Sequence, residues 1–279
     1  MTGMATKMRS AGYQTHAIGK WDAGMATPDH TPQGRGYDSW IGYYQHANDY
    51  FTKGSSNIGA TGEVDNCLNR FTDLSELNAT FRGGVRDAHA LDNNTYEEDV
   101  FKQRALDIVA AHPAGEADAP PLFLFYAFHL LHTPLEIPPS YLDRIDQIVK
   151  AAGGAPIDSQ NRRLYAAMVL YLDEAVGALV AALKQKGMWD NTILAFITDN
   201  GGPIYEPGAA NNYPLRGGKY SDWEGGIRSN AFVSGGYIPA DARGTTFSGV
   251  VSIADWYAGA GVRAMHPSLS FCPYSGTMV

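Results

Sequence analysis

The chain has 279 residues, of which 44% are apolar and 18% are charged, so it can bury one substantial core and is not an intrinsically disordered chain. Its formal net charge of −8 disfavours a nucleic-acid-binding protein, since such proteins normally present a basic face to the phosphates. It contains no uninterrupted apolar run of about eighteen residues, which predicts that it does not span a membrane.

The amino-terminal part of the chain predicts a short strand and then a region of loops. In the stretch GYQTHAIGKWDAG, residues 12–24, a β-like segment is followed by Lys20, Trp21 and Asp22. Residues 1–21 lack the basic, apolar and small-residue succession of a signal peptide. Residues 29–95 are rich in Gly, Asn, Asp and Tyr and poor in periodic runs, which indicates extended loops lying over a sheet. Asn78 and Asn93 begin sequons there and would accept glycans in a secretory pathway.

Two helix–strand units follow. Residues 96–112 predict a helix and residues 122–128 a strand; residues 163–186 predict a second, amphipathic helix that ends at Gly187. Residues 192–198 are dense in Ile, Leu and Phe, which predicts a strand buried on both faces. Alternating helices and strands are typical of an α/β protein with a mostly parallel sheet and helical crossovers.

Polar side chains follow the two apolar strands. Asp199 and Asn200 come directly after residues 192–198, and their carboxylate and amide oxygens are ligands suited to Ca²⁺ or Mg²⁺. The alternative is that Asp199 caps the next helix or turn and Asn200 adopts a left-handed conformation. After residues 122–128, the stretch FHLLHTP places His129 and His132 at the same edge, although a lone histidine is more often structural than catalytic.

A third segment carries cations in an otherwise acidic chain. Between residues 212 and 236, Arg216, Lys219 and Arg228 stand among glycine pairs, an arrangement suited to binding a tetrahedral oxyanion. The alternative is a surface hairpin with solvated cations. The segment is not a Walker A loop, because Tyr213 and Tyr220 occupy positions where that motif requires Gly and Ser or Thr.

Four segments, in this order, resemble the type I sulfatases of the alkaline-phosphatase-like superfamily. They are GYQTHAIGKWDAG, TPQGRGYDSWIGYYQHANDYF, PLFLFYAFHLLHTPLEIP, and TDNGG followed by PLRGGKYSDWEGGIR. The likeness covers residues 11–260 and is greatest to the arylsulfatase B-like (N-acetylgalactosamine-4-sulfatase-like) branch, which acts on sulfated sugars. It implies a mostly parallel sheet flanked by helices, without the family's first strand and its C-terminal subdomain.

The resemblance also implies roles for five residues. Asp199 and Asn200 match the third and fourth protein ligands of a Ca²⁺ or Mg²⁺ ion. Lys219 matches a lysine that contacts the sulfate oxygens, and His132 a histidine that donates to the leaving alcohol. Lys20 matches a lysine that steadies negative charge near the nucleophile. Lys20, His132 and Lys219 are therefore the expected catalytic and substrate-binding residues.

The chain also departs from the family pattern. The family's nucleophile is a formylglycine made from the first residue of C-x-P-S-R, and neither Cys67 nor Cys272 lies in that motif. The strand whose two aspartates complete the metal shell is missing as well. Asp22 stands where the family has a histidine that assists turnover, and we expect an acid there to repel the sulfate.

These observations predict a partial sulfatase catalytic domain over residues 1–262 and a divergent tail over 263–279. The expected activity is hydrolysis of sulfuric esters, with a sulfated carbohydrate or aryl sulfate as substrate, although we expect this chain itself to be inactive because the formylglycine motif is absent. The alternatives are a non-catalytic protein that binds anions or sulfated glycans, and a phosphoesterase of the same superfold. No nucleic-acid partner is expected, and the resemblance implies a lysosomal or secreted location.

Overall fold

The computed structural model describes residues 3–54, 72–77, 86–88, 95–116, 118–205, 208–257 and 259. Cys67, Asn78, Asn93, Cys272 and the predicted tail 263–279 lie outside the described residues, so the predictions made for them stay predictions. The same holds for the domain boundary at residue 262.

The main sheet has five strands in the order β4-β3-β2-β1-β5. Its strands are β1 Gln14–Gly19, β2 Ser39–Gly42, β3 Ser75–Leu77, β4 Arg86–Asp87 and β5 Leu122–Ala127. The longest register is parallel and joins all of β1 to β5, and β1 is also parallel to β2. β3 and β4 extend the sheet in antiparallel fashion. The predicted α/β fold, a mostly parallel sheet flanked by helices, is confirmed.

The prediction of loops over residues 29–95 is wrong in part, because three of these strands belong to that region. β2 places Trp40 and Ile41 in the core, and Trp40 pairs with Leu77 of β3. Strands of two to four residues are too short to show an alternating pattern, which is why composition indicated loops. Asp73 joins the segments, since its carboxylate accepts the backbone N–H groups of Tyr44 and Gln45 at 2.9 and 2.7 Å.

The helices cover the sheet and form the core with it. They are α1 Met4–Ser10, α2 Glu97–Ala111, α3 Pro139–Ala151, α4 Gln160–Gln185 and α5 Glu224–Ile227. The predicted helices over residues 96–112 and 163–186 are confirmed by α2 and α4. Phe101 of α2 packs against Ile18 of β1 and Ile41 of β2, and all three are buried. Each such side chain contributes about 1.5–3 kcal/mol of hydrophobic stabilisation.

Helix α4 is long and apolar enough, by length and composition alone, to cross a membrane. A core helix of a globular protein passes the same test. Met168 and Tyr171 of α4 are buried beside Tyr50 and Tyr96, so α4 contributes one face to a second core cluster. The absence of a membrane span in this chain stays a prediction.

A second sheet pairs β6 Leu194–Ile197 with β7 Ala231–Ser234 in antiparallel fashion. The strand over residues 192–198 is thus confirmed, but the prediction that it is buried on both faces is wrong. Ala195 is exposed, and so is Phe232 of its partner strand. Among the described strands β6 pairs only with β7, and β5 pairs only with β1, so each has one edge without a neighbouring strand.

Candidate active site

His132 and Lys219 meet at the edge of the main sheet where β5 ends. The Lys219 Nζ atom lies 2.9 Å from Nε2 of His132, and the other ring nitrogen, Nδ1, lies 2.7 Å from the carbonyl oxygen of Thr133. Because a carbonyl only accepts hydrogen bonds, Nδ1 carries a proton and Nε2 accepts from the Lys219 ammonium. The contact therefore fixes both the ring orientation and the tautomer of His132.

Burial and neighbouring charges keep the His132 imidazole neutral. The pKa of His132 is lowered to about 4, chiefly by burial; the Thr133 carbonyl opposes this shift, and the charges of Lys219 and Lys20 add to it. Burial also lowers the pKa of the Lys219 ammonium, where the Asp199 carboxylate opposes the effect and Lys20 adds to it. Lys20 and Asp199 thus lie within electrostatic reach of the His132–Lys219 pair. An anion entering between these cations would favour their protonated forms.

Lys20, which follows β1, is connected to His132 through a series of side-chain contacts that the sequence did not predict. Its Nζ atom lies 3.4 Å from Oδ2 of Asp22, and the same oxygen is 3.2 Å from Nδ1 of His46. The His46 ring meets the His132 ring edge-on with a centroid distance of 5.1 Å. Lys20 and His46 thus share the Asp22 carboxylate, and the expectation that Asp22 repels the sulfate stays a prediction.

His46 was missed by sequence reasoning, although a signal for it exists. It follows β2, which lies beside β1 and runs parallel to it, so both strands end at the same edge of the sheet. Polar residues after parallel neighbours converge at such an edge. Because residues 29–95 were predicted to be loops, β2 was not recognised, and neither was the position of His46 after it.

His129 is a structural residue rather than a member of the open site. Its side chain is fully buried, its Nδ1 atom lies 2.9 Å from Oε2 of Glu97, and its ring stacks on Tyr50 with centroids 3.9 Å apart. The Tyr50 hydroxyl lies 3.0 and 3.1 Å from the carbonyl oxygens of His129 and His132. This buried frame holds the turn that carries His132.

Asp199 and Asn200 follow β6 with free oxygen atoms. Over the part of the chain that the structure describes, the Asp199 carboxylate has no hydrogen-bond partner, and the Asn200 side chain uses its Nδ2 group to donate to the Gly201 carbonyl at 2.8 Å. Neither alternative is observed, because Asp199 caps no helix and the φ angle of Asn200 is not positive.

These two residues fit a Ca²⁺ or Mg²⁺ ion in the chemistry of their oxygens but not in number. Ca²⁺ takes six to eight oxygen ligands and Mg²⁺ six. Within the described ranges, no group of three or more His, Cys, Asp or Glu side chains could hold a metal ion. A metal-binding role for Asp199 and Asn200 stays a prediction.

Backbone contacts tie this turn to the loop that carries Lys219. The Lys219 N–H donates to the Gly202 carbonyl at 3.2 Å, and the Gly201 N–H to the Gly226 carbonyl at 2.9 Å. Asn212 exchanges hydrogen bonds with both backbone groups of Gly202, at 2.9 and 2.8 Å. The position of Lys219 relative to Asp199 and Asn200 is therefore fixed by short local bonds.

The alternative of a hairpin with solvated cations holds for one cation of the segment. Arg228, which directly follows α5, is exposed and pairs with Glu224 at the start of that helix at 3.6 Å. Arg216 instead packs over the Trp223 ring at 3.8 Å from its centroid, and Lys219 is half-buried against His132. Two of the three cations thus pack against a fixed partner, and of these only Lys219 is partly withdrawn from solvent.

Comparisons with known proteins agree with this arrangement of segments. The family model described as Sulfatase matches residues 1–261, which is most of the chain. The chain belongs to the sulfatase family. This sulfatase chain is 34% identical to arylsulfatase J of Mus musculus over 252 residues, covering 90% of the chain and 37% of that protein. It is 26% identical to N-acetylgalactosamine-6-sulfatase of Mus musculus over 227 residues, covering 80% of the chain and 38% of that protein.

A solved structure resembles the sulfatase chain over nearly its whole length. The crystal structure of Ps i-CgsB in complex with k-i-k-neocarrahexaose superimposes with a TM-score of 0.74 and 28% identity, covering 96% of this chain and 54% of that one. The chain spans under two fifths of the curated relatives named above and about half of this solved structure.

Proposed function

We propose that this chain forms the sulfate-binding side of the active site of a sulfate-ester hydrolase. The proposal is carried by the 2.9 Å contact between Lys219 and His132, with Lys20 and Asp199 in electrostatic reach. The names of the relatives, an arylsulfatase and an N-acetylgalactosamine-6-sulfatase, support a sulfated carbohydrate or an aryl sulfate as substrate. The complex of Ps i-CgsB with an oligosaccharide favours the carbohydrate.

The chemistry assigned to the cluster follows from its charges. Lys219 and Lys20 bind the sulfate oxygens as compact point charges that follow a tetrahedral anion. When the anion binds, the Lys219 ammonium donates its hydrogen bond to the anion instead of to Nε2 of His132. The negative charge of the anion also raises the lowered pKa of the His132 ring. His132 then holds a proton at Nε2 for the leaving alcohol oxygen. A Ca²⁺ or Mg²⁺ ion at Asp199 and Asn200 would supply positive charge that polarises the sulfate.

We expect no hydrolysis of an aryl sulfate by the 279-residue chain. None of its residues lies in a C-x-P-S-R or S-x-P-S-R motif, so the family's formylglycine nucleophile has no precursor in this sequence. Release of the fluorescent alcohol from 4-methylumbelliferyl sulfate measures this directly. Turnover that disappears in Lys219→Ala or in Asp199→Ala would contradict the expectation.

Binding of inorganic sulfate tests the site itself. We expect saturable, salt-sensitive binding in calorimetry, weakened about tenfold or more by Lys219→Ala, since a hydrogen bond to a charged group contributes about 1.5–3 kcal/mol. Lys184→Ala is the matched control. Lys184 belongs to α4, its ammonium lies over the Trp189 ring, and it takes no part in the site. Equal sulfate affinities of the wild-type chain and Lys219→Ala would refute the proposed function.

A non-catalytic sulfated-glycan binder would use the same cluster of Lys20, His132 and Lys219. A longer chain that carries the formylglycine motif distinguishes the two functions. If that chain bound sulfate but did not hydrolyse sulfate esters, the protein would be a binder rather than a hydrolase. Competition by phosphate as strong as by sulfate would favour the phosphoesterase. We propose a lysosomal or secreted location, in keeping with the family resemblance.

A further inference from the structure

Four aromatic side chains between residues 205 and 223, the stretch of chain that includes Lys219, are exposed. These residues, here called the aromatic platform, have exposed fractions of 87% for Tyr213, 79% for Tyr220, 50% for Trp223 and 37% for Tyr205. Scattered exposed apolar residues are ordinary on a protein surface, but several large rings beside one polar site mark a place where a ligand is bound. The rings of the platform make no hydrogen bond to His132 or Lys219 among the described residues.

The rings of the platform alternate with cations. Tyr205 and Tyr220 stack with centroids 5.4 Å apart, and the Tyr220 centroid is 5.5 Å from Nζ of Lys219. The Arg216 guanidinium lies over Trp223. Flat apolar faces and positive charges therefore share one surface that continues into the anion site.

The backbone at Tyr220 is unusual for an aromatic residue. Its φ angle is +74°, in the left-handed region that residues with a Cβ rarely adopt. Such conformations cluster at functional sites, where surrounding contacts hold them. At this turn two consecutive side chains differ in exposure: Lys219 is half-buried against His132, while Tyr220 is mostly exposed.

An open surface depression lies within the platform and is lined by four consecutive residues, Tyr220, Ser221, Asp222 and Trp223. The Ser221 hydroxyl holds the turn, since it accepts from the Gly218 N–H at 3.2 Å and donates to the Gly218 carbonyl at 2.8 Å. The Asp222 carboxylate has no hydrogen-bond partner among the residues that the structure describes. The depression thus offers ring faces together with a carboxylate that can accept hydrogen bonds from hydroxyl groups.

We propose that the aromatic platform binds the sugar units that adjoin the sulfated unit held by Lys219, so that the ligand is a sulfated oligosaccharide. This inference rests on the proposed function. The C–H faces of sugar rings pack on aromatic rings, sugar hydroxyls donate to Asp222, and a further sulfate pairs with Arg216. An aliphatic or strongly basic ligand would leave Arg216 and Lys219 without counter-charges, which disfavours it.

Comparing oligosaccharides with inorganic sulfate tests the proposal. The probes are hexasaccharides of chondroitin sulfate, heparin and carrageenan, their desulfated forms, and inorganic sulfate. We expect at least one sulfated hexasaccharide to bind the wild-type chain about tenfold more tightly than inorganic sulfate, and Tyr220→Ala to remove that gain while sulfate affinity stays within about twofold. Tyr220→Phe should retain it, and so should the control Phe247→Ala, which removes an exposed ring outside the platform.

Each result distinguishes this inference from the proposed function. Sulfate binding that depends on Lys219, with hexasaccharide binding unchanged in both Tyr220→Ala and Trp223→Ala, would overturn the platform alone. Loss of sulfate binding in Tyr220→Ala would also overturn it, since the ring would then act on the position of Lys219. A wild-type chain that binds neither sulfate nor hexasaccharide would refute both. A dimer in sedimentation that Tyr220→Ala converts to a monomer would assign the platform to a second copy of the chain.

Discussion

Replacing Glu98 with alanine is expected to lower the free energy of unfolding by about 3–5 kcal/mol, because it removes a fully buried carboxyl group from three donors. Its Oε1 atom accepts the backbone N–H groups of His129 at 2.7 Å and Leu130 at 3.2 Å, and Oε2 accepts the Tyr126 hydroxyl at 3.1 Å. Alanine leaves these donors buried without acceptors. Urea denaturation of the wild-type and Glu98→Ala chains measures the difference.

Glu98→Gln is the matched control for this prediction. Its amide oxygen accepts the two backbone N–H groups, and its amide N–H can donate to the Tyr126 oxygen, so we expect a loss of only about 1 kcal/mol. Equal losses for Glu98→Ala and Glu98→Gln would show that the hydrogen bonds to the two backbone N–H groups do not determine the effect.

The two variants should also differ from the wild-type chain in their dependence on pH. Burial raises the pKa of Glu98 from 4.5 to about 8, and the neighbouring Glu97 adds to the shift. The folded state therefore binds more protons than the unfolded state, so the stabilisation from this group is complete below pH 4.5 and is lost as the pH rises through 8. Removing the carboxyl group in Glu98→Gln should make the decline in stability over this window smaller. A decline as steep as in the wild-type chain would contradict the raised pKa.

The sequence predicted the parts of the fold that are encoded locally. Helices α2 and α4 and strands β5 and β6 each carry a continuous apolar pattern, and each was located to within about three residues, which is the usual uncertainty of a boundary. β2, β3 and β4 have no such pattern, and their pairing depends on distant partners. The burial of β6 was mispredicted for the same reason, because burial depends on what lies beside a strand rather than on its own residues.

The candidate site divides in a similar way. The positions of Lys20, His132 and Asp199 at strand ends could be predicted, because a strand followed by a polar residue is a local pattern. Their partners are not local: Lys219, 87 positions from His132, was placed beside it only by the family resemblance, and His46, 24 positions from Asp22, was missed. Their catalytic, substrate-binding and metal-binding roles stay predictions that the sulfate measurements test.

Glu97 and Glu98 show how a local pattern can mislead. Three acids at the first turn of α2 are typical of a solvent-exposed helix start, where they are favoured by the helix dipole. In the fold, Glu97 and Glu98 are instead fully buried beneath the turn that carries His132. The two carboxyl groups are buried because α2 packs against distant parts of the chain. Asn48 donates a hydrogen bond to Glu97, and Tyr126 of β5 donates one to Glu98.

Gly201→Ala is expected to disrupt the site with a single methyl group. A Cβ atom at Gly201 would lie 1.8 Å from the carbonyl oxygen of Gly225, a backbone atom that cannot move alone. The strand-end turn and the glycine-rich segment would have to separate, which costs about 3 kcal/mol of stability. Because Lys219 is bonded through Gly202 to the same turn, we expect sulfate affinity to fall about tenfold or more as well.

Gly177→Ala separates this effect from a general intolerance of alanine for glycine. Gly177 lies within α4, and a Cβ atom there meets no atom within 4 Å. Alanine favours a helix over glycine by about 1 kcal/mol, so Gly177→Ala should stabilise the chain and leave sulfate binding unchanged. If Gly201→Ala bound sulfate as tightly as Gly177→Ala, the close approach of Gly201 to Gly225 would not be what holds Lys219 in place.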